Sequence, residues 1–461
     1  MWGLRAAAQV KTRSRIAKLP RQIADKAFQP IPKRFQRDFG NILHSPPEIV
    51  VKPQSADDVQ ATMVFASQHG FSVVARGHGC SSYGQALSRH IVLDTSGLSG
   101  MKLNGRTVRV GAGVKWGQLQ EFLVGHGLSN NVLTANPHAT IAGTLSVGGY
   151  GSASVHVGGQ VDHIVSLDIV TPKGELVRAT PTGHFSALFR YALCGLGQLG
   201  IVVQAEIAVR SYLPFTAIRT RGFRGYDGFA RASEALLLGE LPHQCLLTFD
   251  FAQRNWVLMT GMESRTRPRI EYGSFFREHY YRDQFNDDLR YSPDLIKHQL
   301  SVGLLHSRRQ ACNLWTDFFL PLDKCATFLT SVKPLFRNKH VLPSYYGTII
   351  SAQPGRNILP LAPFPYETTI GTIGMYCVLP RGMVEDYRRR FDEASNACLD
   401  LGGRIYLHGY VPRLPDFLER QFGKSTLSIW RALKKRWDPQ SLCGTPDLSP
   451  HRRFDNPAYS S

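Results

Sequence analysis

The chain has 461 residues, 43% of them hydrophobic and 10% aromatic, a globular composition that excludes a disordered or fibrous protein and suggests two domains. No apolar run approaches the roughly 18 residues that a membrane span needs, so the expectation is a soluble, cytoplasmic protein. The net charge of +19 invites nucleic acid as a partner, yet beyond the basic start of the chain Lys and Arg are scattered and no nucleic-acid-binding pattern appears, so none is expected.

The first 38 residues hold ten Lys and Arg against two acids and no apolar h-region, which argues against a secretory signal. Residues 1–37 are read as a basic arm, and the moderately amphipathic "RSRIAKLPRQIADKAF" suggests weak peripheral membrane contact. In "SADDVQATMVFASQHG", Ser55 and Asp58 make a capping box, apolar residues recur at helical spacing and Gly70 marks the stop. "FSVVA" and "HIVLDTSGL" read as strands flanking "RGHGCSSYGQA". A glycine-rich loop lets backbone N–H groups approach a phosphate, but Gly77, Gly79 and Gly84 stand between strands instead of opening a helix, which disfavours the Rossmann fold.

"TVRVGAG" predicts a strand and "KWGQLQEFLVGHG" a helix. Then comes "TIAGTLSVGGYGSASVHVGG", with seven Gly or Ser between Gly143 and Ser154, too many for a packed strand or helix. "HIVSLDIV" and "ELVRAT" around Thr171-Pro172-Lys173-Gly174 predict a hairpin; "ALFRYALCGL" and "IVVQAEIAV" predict a helix and a strand. Two glycine-rich segments in one α+β region suggest two walls of one extended ligand site. From about residue 213 longer aromatic strands and helices follow with no nucleotide loop, which reads as a substrate-covering domain containing the loop "PGRNILPLAPFP". "PRGMVEDYRRRFDEASNACLDLGGRIYL" predicts a helix ended by Gly402-Gly403 and then a strand. The eight cysteines form no CxxC pair and no zinc-spaced cluster, so reduced thiols and no metal are expected.

The loop Arg76-Gly77-His78-Gly79-Cys80-Ser81-Ser82-Tyr83-Gly84-Gln85-Ala86 is similar to the R-G-x-G-H-S-x-x-G-Q-A of flavin-linked oxidases of the vanillyl-alcohol-oxidase, or PCMH, type. With "DFGN", "TIAGTLS", "GLGQLGIV", "YLHGY" and "KKRWDP" in order, the chain resembles cytokinin dehydrogenases most closely, densely as far as residue 212 and thinly beyond. The resemblance implies an α+β fold. A two-part FAD-binding domain (38–212 with 405–461) would carry an inserted α+β substrate domain (213–404), an antiparallel sheet flanked by helices. It implies FAD as cofactor, a small-molecule substrate, and dioxygen or another electron acceptor. The backbone of Arg76, Gly77, His78, Gly79, Cys80 and Ser81 would hold the pyrophosphate with Gln85 nearby. Thr140, Gly143, Ser146, Gly149 and Tyr150 would line the flavin, Val202 would pack on the adenosine side, and Tyr406 would stand near the ring.

Departures from the family bear on chemistry. Cys80 replaces the histidine that carries FAD covalently, so FAD is expected to be noncovalent, with a Cys80 thioether to the flavin 8-methyl group as the alternative. Ala135 stands where cytokinin dehydrogenases have the proton-accepting aspartate, which disfavours cytokinin cleavage by that mechanism. "LCGTPD" replaces the closing "L-S-P-G-Q". The remaining proton acceptors are His138 and His408, with Tyr406 and Tyr410 as hydrogen-bond partners. "TPTGHFSALF" and "SYG" resemble decaprenylphosphoryl-ribose oxidases, so a sugar alcohol is a second substrate class, although Gly409 stands in place of that family's lysine. A third reading is an FAD-fold binding protein without turnover.

Overall fold

The computed structural model describes residues 19–225, 227–250, 254–266, 277–282, 311–337, 341–352, 359–364 and 368–444. The fold is built from two sheet systems, a smaller one from the N-terminal half and a large antiparallel one from the remainder. In the first, β1 (Ile49–Val51), β2 (Val73–Arg76) and β3 (Ile91–Asp94) form a parallel sheet in the order β1-β3-β2. Helix α1 (Ala56–His69) connects β1 to β2. Ser55 and Asp58 form its capping box, and Gly70 ends it at φ +67°, a left-handed conformation that glycine adopts without strain.

The Asp58 carboxylate also accepts from Gln22 and Lys26. Burial alone would raise its pKa, but these donors hold it at about 2. They fasten residues 19–37 to the sheet, where Ile23 and Phe35 are buried, so this portion of the expected basic arm is packed against the body. Within the expected arm, Ile23 is a core residue and Leu19, Ala27 and Phe28 pack against the core; residues 1–18 lie outside the described region.

A second, five-stranded antiparallel sheet comprises β4 (Met101–Asn104), β5 (Thr107–Gly111), β6 (Ile164–Val170), β7 (Leu176–Ala179) and β8 (Ile201–Ala208), ordered β4-β5-β8-β6-β7. The expected 164–179 hairpin is β6 with β7. Helix α2 (Trp116–Val124) precedes the second glycine-rich segment, which departs from expectation: Ile141–Leu145 forms a short helix, α3, and Ser154–Val157 a helical turn. Its small residues permit close helix approach here, as Trp116 Nε1 donates to Thr144 Oγ1 at 2.7 Å.

After α4 (Ser186–Ala192) the large sheet begins. It contains β9 (Phe215–Arg224), β10 (Gln244–Asp250), β11 (Asn255–Ser264), β12 (Arg277–Arg282), β13 (Ala311–Pro321), β14 (Ser344–Gly347), β15 (Ile349–Ile350), β16 (Ile370–Pro380) and β17 (Arg404–Ile405). The order is β12-β9-β11-β10-β14-β16-β13-β17, with β15 paired to β16 and every pairing antiparallel. Helices α5 (Gly228–Leu237), α6 (Cys325–Phe336) and α7 (Val384–Asp400) pack on it. β13 and β16 are buried along nearly their whole length instead of alternating, because helices cover one face and the N-terminal half the other. The strand expected after Gly402-Gly403 is only two residues long, and Tyr406 to Tyr410 continue as turns.

The chain then returns to the N-terminal half. In α8 (Lys424–Trp437), the Lys434 ammonium donates to Gln198 O at 2.6 Å, and Val73 N donates to Leu442 O at 2.8 Å. No helix among the described residues is long and apolar enough to cross a membrane.

Candidate functional site

The first glycine-rich loop leaves β2 with its floor already built. The Arg76 side chain is buried beneath it, donating to Ala86 O at 3.3 Å and Arg37 O at 3.2 Å. Its guanidinium lies where a side chain at Gly79 would go: a Cβ there would stand 2.6 Å from Arg76 Nη2, and Gly79 holds φ +81°. Buried Asp38 accepts from Ile42 N and Gly84 N, both at 3.1 Å. Among the described residues no acceptor is found for the N–H groups of Gly77, His78, Gly79, Cys80 and Ser81. Five successive backbone donors left for a ligand suit an anionic diphosphate.

The second segment closes on the first. A Cβ at Gly77 would lie 2.0 Å from Thr140 Oγ1, and one at Gly143 would lie 2.9 Å from the same oxygen. Asn136 Nδ2 donates to Cys80 Sγ at 3.2 Å, and the His78 and His138 rings stack at 5.6 Å. Further along, a Cβ at Gly149 would meet Gln160 Oε1 at 2.1 Å; that buried oxygen makes no hydrogen bond. The glycines let the two segments pack closely on each other, and the free backbone donors together with an orphaned buried oxygen fit a dinucleotide held along them.

The third wall is the returning C-terminal segment. Gly149 N donates to the Tyr406 hydroxyl at 3.2 Å, and the Tyr150 ring packs edge-on to Tyr406 at 5.4 Å. Tyr406 N is held by Asp317 O at 2.9 Å. His408 lies 5.5 Å from Tyr406 and 4.5 Å from Trp315, half-buried, and the protein around its ring lowers its pKa to about 4. Gln85 proves to be the fastener of this wall: its Nε2 donates to Leu407 O at 3.0 Å, His408 O at 3.3 Å and Gly409 O at 2.8 Å. Residues 38–41 clamp loop and cap together, with Phe39 N on Ser81 O and Asn313 N on Gly40 O.

The residues expected from sequence therefore divide. Thr140 meets both Gly77 and Gly143, Asn136 ties Cys80 to the second segment, and Tyr406 contacts Gly149, Tyr150 and His408. His138 is exposed beside His78, and the Ser146 hydroxyl turns inward to Ala142 O at 2.7 Å. Val202 is a core residue of β8 opposite Ile169. The Tyr410 hydroxyl donates to Asp392 at 2.8 Å, within the core. Of "LCGTPD", only Leu442 to Gly444 are described.

One group escaped the sequence reading. Asp317 on β13 is 2% exposed, with half-buried Tyr150, Trp315 and Tyr346 around its carboxylate and His408 packed on Trp315. A lone acid in the apolar run "ACNLWTDFFLP" was the available signal.

Residues 47–180 match the FAD binding domain family, and residues 302–445 match the C-terminal domain of FAD-linked oxidases. The chain is 27% identical over 435 residues to an uncharacterized oxidoreductase in the fasciation locus of Rhodococcoides fascians, covering 88% of this chain and 94% of that one. It is 35% identical over 290 residues to cytokinin dehydrogenase 3 of Oryza sativa subsp. japonica, covering 57% and 54% of the two chains. Against cytokinin dehydrogenase 1 of Arabidopsis thaliana the identity is 31% over 227 residues, covering 47% and 38%. The match thus spans about half or less of these two cytokinin dehydrogenases.

Proposed function

Because the chain belongs to the FAD-linked oxidases of the PCMH type, we propose that it oxidises a small organic molecule at a C–H bond next to an alcohol or an amine. FAD when bound supplies the two-electron acceptor, taking hydride at flavin N5. The observation that carries the reading is the Gly149 N to Tyr406 hydroxyl bond, which joins the second glycine-rich segment to the C-terminal wall and sets Tyr150 and Tyr406 side by side. The residues Gly77 to Ser81 bind the pyrophosphate through backbone N–H groups. Half-buried Tyr150, Tyr346, Trp315 and His408 offer ring faces and polar tips to a flat or ring-shaped substrate.

We read the FAD as noncovalent. Burial pushes the Cys80 thiol up to about 11 despite Asn136 and Arg76, so at neutral pH it is a poor nucleophile. Flavin colour remaining on the acid-precipitated polypeptide would overturn this.

Amine and alcohol substrates are separated by anaerobic mixing of the purified protein with N6-alkyl adenines, sugar alcohols and benzylic alcohols. One class is expected to bleach the flavin. Dithionite bleaching with no response to any of the three classes would contradict an enzymatic role and favour a binding protein on the same fold.

A further inference from the structure

Asp317 is built as an ionisable group and not as a packing residue. It sits mid-strand, and among the described residues no cation pairs with it. From its own strand, Trp315 Nε1 donates to Oδ2 at 3.2 Å. The Tyr150 hydroxyl, from the second glycine-rich segment, and the Tyr346 hydroxyl, from β14, approach the same carboxylate, and Tyr406 lies beyond. Oδ1 is buried and completes no hydrogen bond of normal geometry. Room for this group is reserved by Gly374, its partner across β13 and β16: a Cβ there would stand 2.4 Å from Oδ1 and 2.2 Å from Tyr346 Cζ. A buried carboxylate without a counter-ion is costly to keep, and such groups concentrate where protons are moved.

Resting on the reading of the chain as an FAD-dependent oxidoreductase, we propose that Asp317 is the final acceptor of the substrate's O–H or N–H proton, delivered through the Tyr150 hydroxyl. The substrate proton passes to the Tyr150 oxygen as the tyrosine's own proton moves onto the carboxylate. The adjacent carbon gives up its hydride to FAD, and the C–O or C–N bond becomes C=O or C=N. The proton leaves Asp317 for solvent once product departs. Burial, opposed by the Tyr346, Trp315 and Tyr150 donors, raises the Asp317 pKa to about 6, so the carboxylate is charged and receptive at neutral pH. By contrast, His138 is exposed, and His408 is a weaker base.

The test does not depend on knowing the substrate. Sulfite adds to oxidised flavin and bleaches it, and a nearby carboxylate opposes that anion. Relative to Asp317→Asn, wild-type affinity for sulfite is expected to weaken about tenfold between about pH 5 and pH 8, with a midpoint near 6. A constant ratio across that range overturns the proposal. Should the variant fail to hold FAD, the wild-type flavin difference spectrum is read instead: a transition near pH 6 supports the proposal and a flat response overturns it. A purified chain without any flavin overturns the functional reading beneath it. With any compound that bleaches the flavin, Asp317→Asn and Tyr150→Phe are each expected to slow reduction about 100-fold, and the acidic limb near pH 6 disappears in Asp317→Asn. A Tyr150→Phe variant that reduces its flavin as fast as wild type overturns the route through Tyr150.

Discussion

Gly77→Ala is expected to yield a folded but nearly colourless protein. The new Cβ would stand 2.0 Å from Thr140 Oγ1 and 3.0 Å from both Thr140 Cβ and Cγ2, so no rotation of the threonine clears it. Thr140 cannot retreat, because its backbone is bridged to Lys115 and caps α3. The two glycine-rich segments must move apart, and an overpacking cost of about 1–3 kcal/mol falls on the proposed FAD site, lowering FAD affinity about 5- to 150-fold. Flavin absorbance per chain after gel filtration reads the loss. The double substitution Gly77→Ala/Thr140→Gly should recover much of it, a coupling that independent sites would not show. Full flavin occupancy in the single variant would mean that the segments do not meet at the ligand.

The second large effect concerns pH. Burial raises the Asp38 pKa from 3.8 to about 7, opposed by the N–H donors of Ile42, Leu43 and Gly84 and by Arg76. A carboxyl that holds its proton more tightly when folded contributes stability that is complete below about pH 4 and is lost as pH rises through 7, by about 4 kcal/mol. Asp317 has the same sign over a narrower window. His408 has the opposite sign, losing stability as pH falls from 6.5 towards 4, because its folded pKa is depressed. The wild-type curve is therefore a net, and Asp38→Asn isolates the first contribution. Denaturant midpoints of the FAD-free protein between about pH 4 and 7 should show wild type gaining on the variant at the acidic end. Parallel curves would contradict a buried, protonated Asp38.

Local signals carried much of the fold. Ser55, Asp58 and Gly70 bracket α1 because caps act within one turn of chain, and Thr171 to Gly174 mark the β6–β7 hairpin for the same reason. The glycine-rich loop reads as a ligand cradle, and the structure adds that Gly77 and Gly79 also admit Thr140 and the Arg76 guanidinium, which the sequence alone does not show. Side-chain roles set by distant partners were not legible. Gln85 reads as a neighbour of the pyrophosphate but fastens residues 407–409, more than 300 positions away. The arm around Ile23 and Phe35 looks solvated until Asp58 is seen to tie it down. Asp317 becomes informative only when Tyr150, Tyr346 and Gly374 are brought to it by three separate segments.

The claim on which the rest depends is that residues 77–81, 140–150 and 406–409 surround a single FAD. Acid precipitation of the purified protein, with the flavin quantified in both fractions, tests it most directly. The account predicts about one FAD per chain, all of it in the supernatant above a colourless pellet. Absence of FAD from both fractions, in a chain shown to be folded, would contradict it.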